Sequence, residues 1–330
     1  MNKDMKNGKI SESILKRSVL KQLHTKKDNV LCKAAVGNDC AVCEDIVTSS
    51  SVVELDISNP ATLSRLAVYP AVNNIATSGA RPLGIYVSLL IPTTWNEAQL
   101  RELVKEIDDK CAKCGIAVLG GHTQVTRAVK NCVISITAIG KLDGSQYASS
   151  SKVQPGMDII MTGYAGYAGT SVIVEQKPEE LRTRFAQPFL DNALKYIDYL
   201  SIQSEAAVAV KSGAVAMHDV SQGGVFGALW EMASASGVGL DINLKNIPIR
   251  QETIEISEFF GINPYKLYGG GALLIAAFDG SHIVREIQKA GGNAVIIGAA
   301  TDSNDRVLIQ GDERRFLEIA QTDDIYLIFK

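Results

Sequence analysis

The chain has 330 residues, 46% of them hydrophobic and 21% charged, with a formal net charge of -3; this composition excludes disordered and fibrous classes. The length suggests roughly two domains. The charge leaves no broad basic footprint for nucleic acid and no polybasic membrane anchor.

In chain order, the spacing of Ile14, Leu15, Val19, Leu20 and Leu23 predicts a helix over residues 11–23. The β-branched run 51–56 predicts a strand. Residues 60–78 read as a helix bent near Pro70 and stopped by Gly79. A buried strand follows over 84–91. Thr94 with Glu97 reads as a capping box opening a helix that ends at Gly115. Strands are expected over 116–119 and 132–139. The Ser- and Gly-rich stretch 143–155 reads as a domain boundary, giving domains 1–150 and 151–330. The second half opens with a strand over 158–162 and a glycine-rich turn, 163–169. It continues with a helical region over 188–211, a strand over 214–218 and a helix over 224–236. Another strand spans 272–278, and a final one is expected over 325–329. Interleaved helices and strands predict an α+β fold of mixed α/β layers.

No apolar run reaches the ~18 residues that would span a bilayer. The polar start lacks the apolar stretch of a signal peptide. A soluble, cytoplasmic chain is expected, and its six cysteines then read as reduced thiols. Cys40 with Cys43, and Cys111 with Cys114, have the spacing of a four-cysteine zinc site. However, residues three apart in a strand point to opposite faces, so packing is the favoured role for these cysteines.

Several short motifs place polar groups where a ligand could meet them. In the turn Gly37-Asn38-Asp39-Cys40-Ala41 an acid follows a glycine; a surface turn explains the local pattern equally. Asp56 closes a strand before Asn59 and Pro60, where it can hold Mg²⁺ or cap the next helix. Asn73 and Asn74 lie on an apolar helix, so they either bond within the core or face a ligand. Gly120-Gly121-His122-Thr123 follows a strand and reads as a turn presenting backbone N–H groups to an anion; a lone His is more often structural. In His218-Asp219-Val220-Ser221-Gln222-Gly223-Gly224 a strand ends in an acid and two glycines open a helix, whose N-terminus suits a phosphate. The 163–169 turn could cradle phosphate similarly, but it lacks the ending of a P-loop. Gly269-Gly270-Gly271 suggests close backbone approach.

Taken in order, these motifs resemble the superfamily of the hydrogenase-maturation factor HypE, selenophosphate synthetase, thiamine-monophosphate kinase and aminoimidazole-ribonucleotide synthetase, and HypE most of all. The resemblance runs over about residues 10–300. It is carried by GNDCA, VNNIATSGARPLG, GGHT, the GYAGYAG turn, HDVSQGGVFGALWEMASASGVG and ALLIA. It implies a two-domain synthetase fold whose N-terminal domain pairs with a second copy into an intersubunit β-barrel, with a C-terminal α/β domain packed on it.

ATP would lie between the domains, near the dimer interface. The implied nucleotide-binding residues are Asn38, Asp39, Asn74, Gly120, Gly121, His122, Asp219, Gly223 and Gly224. The implied Mg²⁺ positions are Asp39, Asp56, Asn74 and Asp219. The expected activity is ATP-dependent phosphoryl transfer to an unknown small-molecule or protein acceptor, in metalloenzyme maturation. The alternative is a non-catalytic nucleotide-binding scaffold homodimer. Neither a nucleic-acid nor a membrane partner is expected. Lys26, Lys27 and Arg81 could add phosphate contacts, although solvated surface charge is the commoner role.

The chain departs from the family pattern at Asn38 and Asn74, where the family carries acids, and at Gln222, where close relatives often do. Each change removes negative charge from the metal site, and Mg²⁺ favours charged oxygens. HypE carries a terminal cysteine, whereas this sequence ends in 323–330 without one. The HypE reaction itself is therefore not expected here.

Overall fold

The computed structural model describes residues 7–25, 27–144, 146–319 and 322–329. Helical turns begin at α1 (Glu12–Ile14) and continue as a π-type stretch, Leu15–Val19, and a 3-10 turn, Leu20–Gln22. The expected helix over 11–23 is thus present only as irregular turns. None of these turn residues is buried, and so short a segment gains little regularity without tertiary packing.

Strands β1 (Val30–Cys32), β2 (Ala41–Cys43), β3 (Ile46–Val53), β4 (Arg81–Pro92), β5 (Ala117–Thr126) and β6 (Val133–Lys141) form one sheet in the order β1-β2-β3-β6-β4-β5. All neighbours are antiparallel except β4 and β5, which are parallel. Along β6 buried and half-buried residues alternate, the period-2 signature of a sheet with one packed face. Helices α2 (Pro60–Ala76) and α3 (Glu97–Lys113) lie against that sheet. Pro60 begins α2 and the Asn59 side chain accepts from the Ala61 N–H at 3.0 Å, a standard N-cap. Pro70 is accommodated inside the helix.

Buried residues surround α2 because it is packed on both sides. One side meets the first sheet. On the other, Asn73 donates from Nδ2 to Leu200 O at 2.8 Å and accepts at Oδ1 from the Ile202 N–H at 3.2 Å. Of the two alternatives for Asn73, bonding within the core is the one realised.

The second sheet contains β7 (Asp158–Thr162), β8 (Ala216–Asp219), β9 (Gly239–Asn243), β10 (Leu273–Ala277), β11 (Ala294–Thr301), β12 (Arg306–Gln310) and β13 (Glu313–Phe316), ordered β13-β12-β9-β11-β7-β10-β8. It is antiparallel except for the pair β9 and β12. The second half also contains α4 (Tyr167–Gln176), α5 (Pro178–Arg182), α6 (Gln187–Leu194), α7 (Gln203–Lys211), α8 (Gly224–Ser236), α9 (Gln251–Phe260), α10 (Gly280–Lys289) and α11 (Ile325–Ile328), of which α7, α8 and α10 pack on this sheet. The mixed α/β character expected from the sequence is present. Among the described residues no helix is long and apolar enough to cross a membrane.

Three local expectations are corrected. The capping box uses Asn96 and Gln99, each side chain accepting from the other's backbone N–H at 3.0 Å, so α3 starts at Glu97 rather than after Thr94. The Gly120-Gly121-His122-Thr123 motif lies within β5 and is not a turn. The physical reason is at Gly121, where a Cβ would meet Val87 O at 1.9 Å: the glycine lets β5 lie flat against β4. Finally, residues 325–328 are helical, not extended. The Asp323 side chain accepts from the Ile325 N–H at 2.9 Å, a local bond that starts a helical turn.

Candidate functional site

The β1–β2 loop and the end of β8 deliver acids to one cleft of about 330 Å³. From the first half come Asn38, Asp39 and Asn74; from the second come His218, Asp219 and the start of α8. Asp39 is held in place by its loop: Ser49 Oγ donates to Asp39 O at 2.8 Å. Gly37, at φ +74°, lets that loop press on α8, because a Cβ there would lie 2.3 Å from Glu231 O. Gly37→Ala is therefore expected to displace the loop and to lower stability by about 1–3 kcal/mol, read as a fall in the thermal midpoint.

The Asp39 carboxylate spans both halves. Its Oδ2 accepts from the Asp219 backbone N–H at 3.1 Å, and its Oδ1 lies 3.0 Å from His218 Nδ1. His218 Nε2 lies 3.3 Å from Glu231 Oε2, and Lys9 Nζ lies 2.6 Å from Glu231 Oε1. Asp39, His218 and Asp219 bring ligand atoms within 4.8 Å of one another. His218 and Asp219 are buried, whereas Lys9 is half-exposed.

Burial and the neighbouring Asp39 charge push the Asp219 carboxyl up to about 7. Burial would lower His218, but Asp39 and Glu231 outweigh it and hold the imidazole charged, well above its ordinary range. Burial would likewise raise Glu231, but Lys9 and His218 hold it down at about 2.

A carboxyl lowered on folding contributes stability above its unfolded pKa of about 4.5 and loses it as pH falls through about 2. Glu231→Gln is expected to destabilise by about 1–2 kcal/mol at neutral pH, the open Lys9 side reducing the effect. It should also flatten the pH dependence between about 4.5 and 2, measured by denaturant unfolding.

Asn74 is the amide that faces the cleft. It lies 2.9 Å from Ser49 Oγ on one side, and 3.2 Å from both Pro70 O and Asp219 Oδ1 on the other. Turning its N–H toward the latter pair satisfies both acceptors, so its nitrogen, not its oxygen, meets Asp219. Asn38 donates from Nδ2 to Lys33 O at 2.9 Å, while its buried Oδ1 has no partner among the described residues.

Other expected positions lie elsewhere. Asp56 is exposed beyond the end of β3 and is not a cleft residue. Gly120, Gly121 and His122 sit on the edge strand, away from this cleft. Lys27 and Arg81 are exposed and do not line it, and Lys26 lies outside the described residues.

At Gly223 and Gly224, where a phosphate cradle is expected, both N–H groups have partners within the chain. The Gly223 N–H donates to Asp323 Oδ2 at 2.7 Å and the Gly224 N–H to Ser221 O at 3.1 Å. The chain's own carboxylate thus occupies the site at which a helix N-terminus attracts an anion. Gly224, at φ +62°, is also demanded by packing, since a Cβ would meet Tyr265 O at 2.5 Å. In the 163–169 turn the N–H groups of Ala165, Ala168 and Gly169 similarly go to Pro248 O, Gly269 O and Tyr268 O.

Sequence reasoning missed Lys9, Glu231 and Asp323. Lys9 and Asp323 come from segments that cross the cleft mouth, with Ile10, Glu12 and Thr322 beside them. Their spacing from Asp39 and Asp219 carries no local signal. Glu231 sits midway along α8, where it reads as an ordinary solvated acid.

The cysteines form no metal cluster among the described residues. Cys32, Cys111 and Cys132 are buried thiols, and burial raises the pKa of each.

Comparison with known proteins follows this geometry. Residues 26–142 match the family described as AIR synthase related protein, N-terminal domain, and residues 154–310 match its C-terminal domain. A Methanocaldococcus jannaschii protein named for hydrogenase expression and formation is 30% identical over 255 residues, covering 75% of this chain and 73% of its own. A carbamoyl dehydratase HypE from Rhodobacter capsulatus is 24% identical over 260 residues, covering 77% and 74%. The solved structure of the hydrogenase maturation protein HypE in complex with ATP superposes with a TM-score of 0.74 at 17% identity, covering 97% of this chain and 98% of that one. Two contiguous domains, in the right order and spanning most of the sequence, place this chain in the AIR synthase related family.

Proposed function

We propose that the protein binds ATP with Mg²⁺ in the cleft between its two halves and uses it to activate an acceptor by phosphoryl transfer, in metalloenzyme maturation. The observation that carries this is the convergence of Asp39, from the β1–β2 loop, and Asp219, from the end of β8, on one cleft. The HypE named as binding ATP, and the relatives named for hydrogenase formation and carbamoyl dehydration, support it.

The donor set fits Mg²⁺, which takes one or two carboxylates and completes its shell with water and phosphate oxygens. Asp39 and Asp219 would hold it, and Asn38, whose buried Oδ1 has no partner among the described residues, lines the same cleft. Bound there, the cation would neutralise phosphate charge. His218 and Lys9 already balance the carboxylates, so the site tolerates its acids before nucleotide arrives. Asn74 contributes a donor to Asp219 in place of a fourth acid.

The reading includes a homodimer. Strands β4 and β5 expose Tyr86, Val118, Leu119 and Val125, and the open edge of β5 suits pairing with a second copy into a barrel. Such pairing is the way Asp56, Gly120, Gly121 and His122 could serve a nucleotide that the single chain keeps from them.

A second reading, a scaffold that holds nucleotide without turnover, draws on Asn38 and Asn74 replacing acids. Incubation with ATP distinguishes the two. Mg²⁺-dependent ADP formation that disappears in Asp219→Asn is the expected result; retained ATP binding with no ADP formed favours the scaffold.

A further inference from the structure

A second cavity, of about 670 Å³, lies in the C-terminal half and shares no lining residue with the acidic cleft. Its floor is a run of aromatic rings. Tyr164 stacks on Tyr167 at 5.3 Å and 24°, and Tyr167 stacks on Tyr196 at 4.4 Å and 20°. Tyr199, 61% exposed, stands at 6.3 Å from Tyr167 and presents its ring to the opening. These tyrosines include the two of the glycine-rich turn that the phosphate reading left unexplained.

The cavity also has directed charge. Arg250 places its guanidinium 4.0 Å above the Tyr164 ring, and its Nε donates to Tyr167 Oη at 3.3 Å. Two contacts orient the group, yet Nη1 and Nη2 have no hydrogen-bond or ion-pair partner among the described residues. Lys195 beside it is exposed and likewise unpaired among the described residues.

The acids at the rim are largely engaged. Asp198 pairs with Arg65 at 2.7 Å, and Glu252 accepts from the Tyr196 hydroxyl. Glu205 is the remaining carboxyl, and burial raises its pKa. Recognition of an anion here rests on the aimed Arg250 fork rather than on net charge.

An oriented guanidinium with both terminal nitrogens available is a fork for a planar or tetrahedral anion. The exposed Tyr199 ring nearby can accept a flat ring. The geometry points to a second ligand site, separate from the nucleotide cleft, that takes a planar aromatic ring bearing a phosphate or carboxylate. The anion sits on Arg250, with Lys195 adding charge, and the ring lies against Tyr199.

The test uses simple probes on the full chain, followed by ligand-observed NMR. Phenyl phosphate or benzoate is expected to bind, and whichever binds more tightly identifies the anion. Inorganic phosphate and benzyl alcohol, each carrying half of the recognition, are expected to bind roughly tenfold more weakly or less. Arg250→Gln should weaken the aromatic anion roughly tenfold while leaving ATP affinity unchanged. If that variant unfolds, Tyr199→Ala, which removes an exposed ring, is read instead and should also weaken binding. Failure of both aromatic anions to bind at millimolar concentration, or equal affinity in wild type and in a folded variant, overturns the assignment.

Discussion

Asp39→Ala is expected to remove both the site and part of the fold. In the folded chain this carboxylate accepts the Asp219 backbone N–H and flanks the charged His218. Without it, a buried imidazolium loses its nearest counter-charge and a buried N–H loses its acceptor. Breaking a buried pair by removing one partner costs about 3–5 kcal/mol, so thermal unfolding should shift downward by many degrees. Losing one of the two charged oxygens proposed for Mg²⁺ should also reduce metal-dependent nucleotide affinity at least ~10-fold. Asp39→Asn retains one acceptor oxygen. It should recover part of the stability while still losing the metal dependence, which separates the two roles.

A comparably large change is expected at Asp323. Its Oδ2 accepts from Gly223, and its Oδ1 accepts from Tyr268 at 3.1 Å and from Ile325 at 2.9 Å. Asp323→Ala strands three backbone donors, two of them in buried surroundings, at about 1–3 kcal/mol for each that water does not reach. Asp323→Asn is expected to lose much of the same stability, since an amide satisfying the Oδ1 side sets its NH2 against the Gly223 N–H. The segment is fastened beyond this point by the Tyr326 hydroxyl, which donates to Glu54. Freed of its internal anion, the α8 N-terminus should bind inorganic phosphate more tightly, so the destabilised variant is expected to gain phosphate affinity. A loss of both stability and phosphate affinity would show that the carboxylate does not compete there.

Much of the fold was legible because its signals were local and redundant. The Pro60 start of α2, the helix after Gly223 and the strand at 158–162 each combine apolar pattern with a stop or a cap. Asp39 and Asp219 stood out because glycines flank them, Gly37 before Asp39 and the Gly223-Gly224 pair after Asp219. The GGHT motif misled because a glycine serves a tight turn and a close strand pairing equally well, and only the Val87 carbonyl decides between them. The end of the chain misled because four apolar residues suit a strand or a helical turn, and Asp323 settles the choice from two residues away. Lys9 and Asp323 were invisible for a different reason. Their partners lie 222 and 100 residues away, and no periodicity encodes a contact of that separation.

Calorimetric titration of ATP, with and without Mg²⁺, on the wild-type chain and on Asp219→Asn tests the central claim most directly. Wild-type affinity that rises with Mg²⁺, and that loses this dependence in the variant, is the predicted result. Equal affinity in all four titrations would contradict it, since the two acids would then hold no part of the nucleotide's charge.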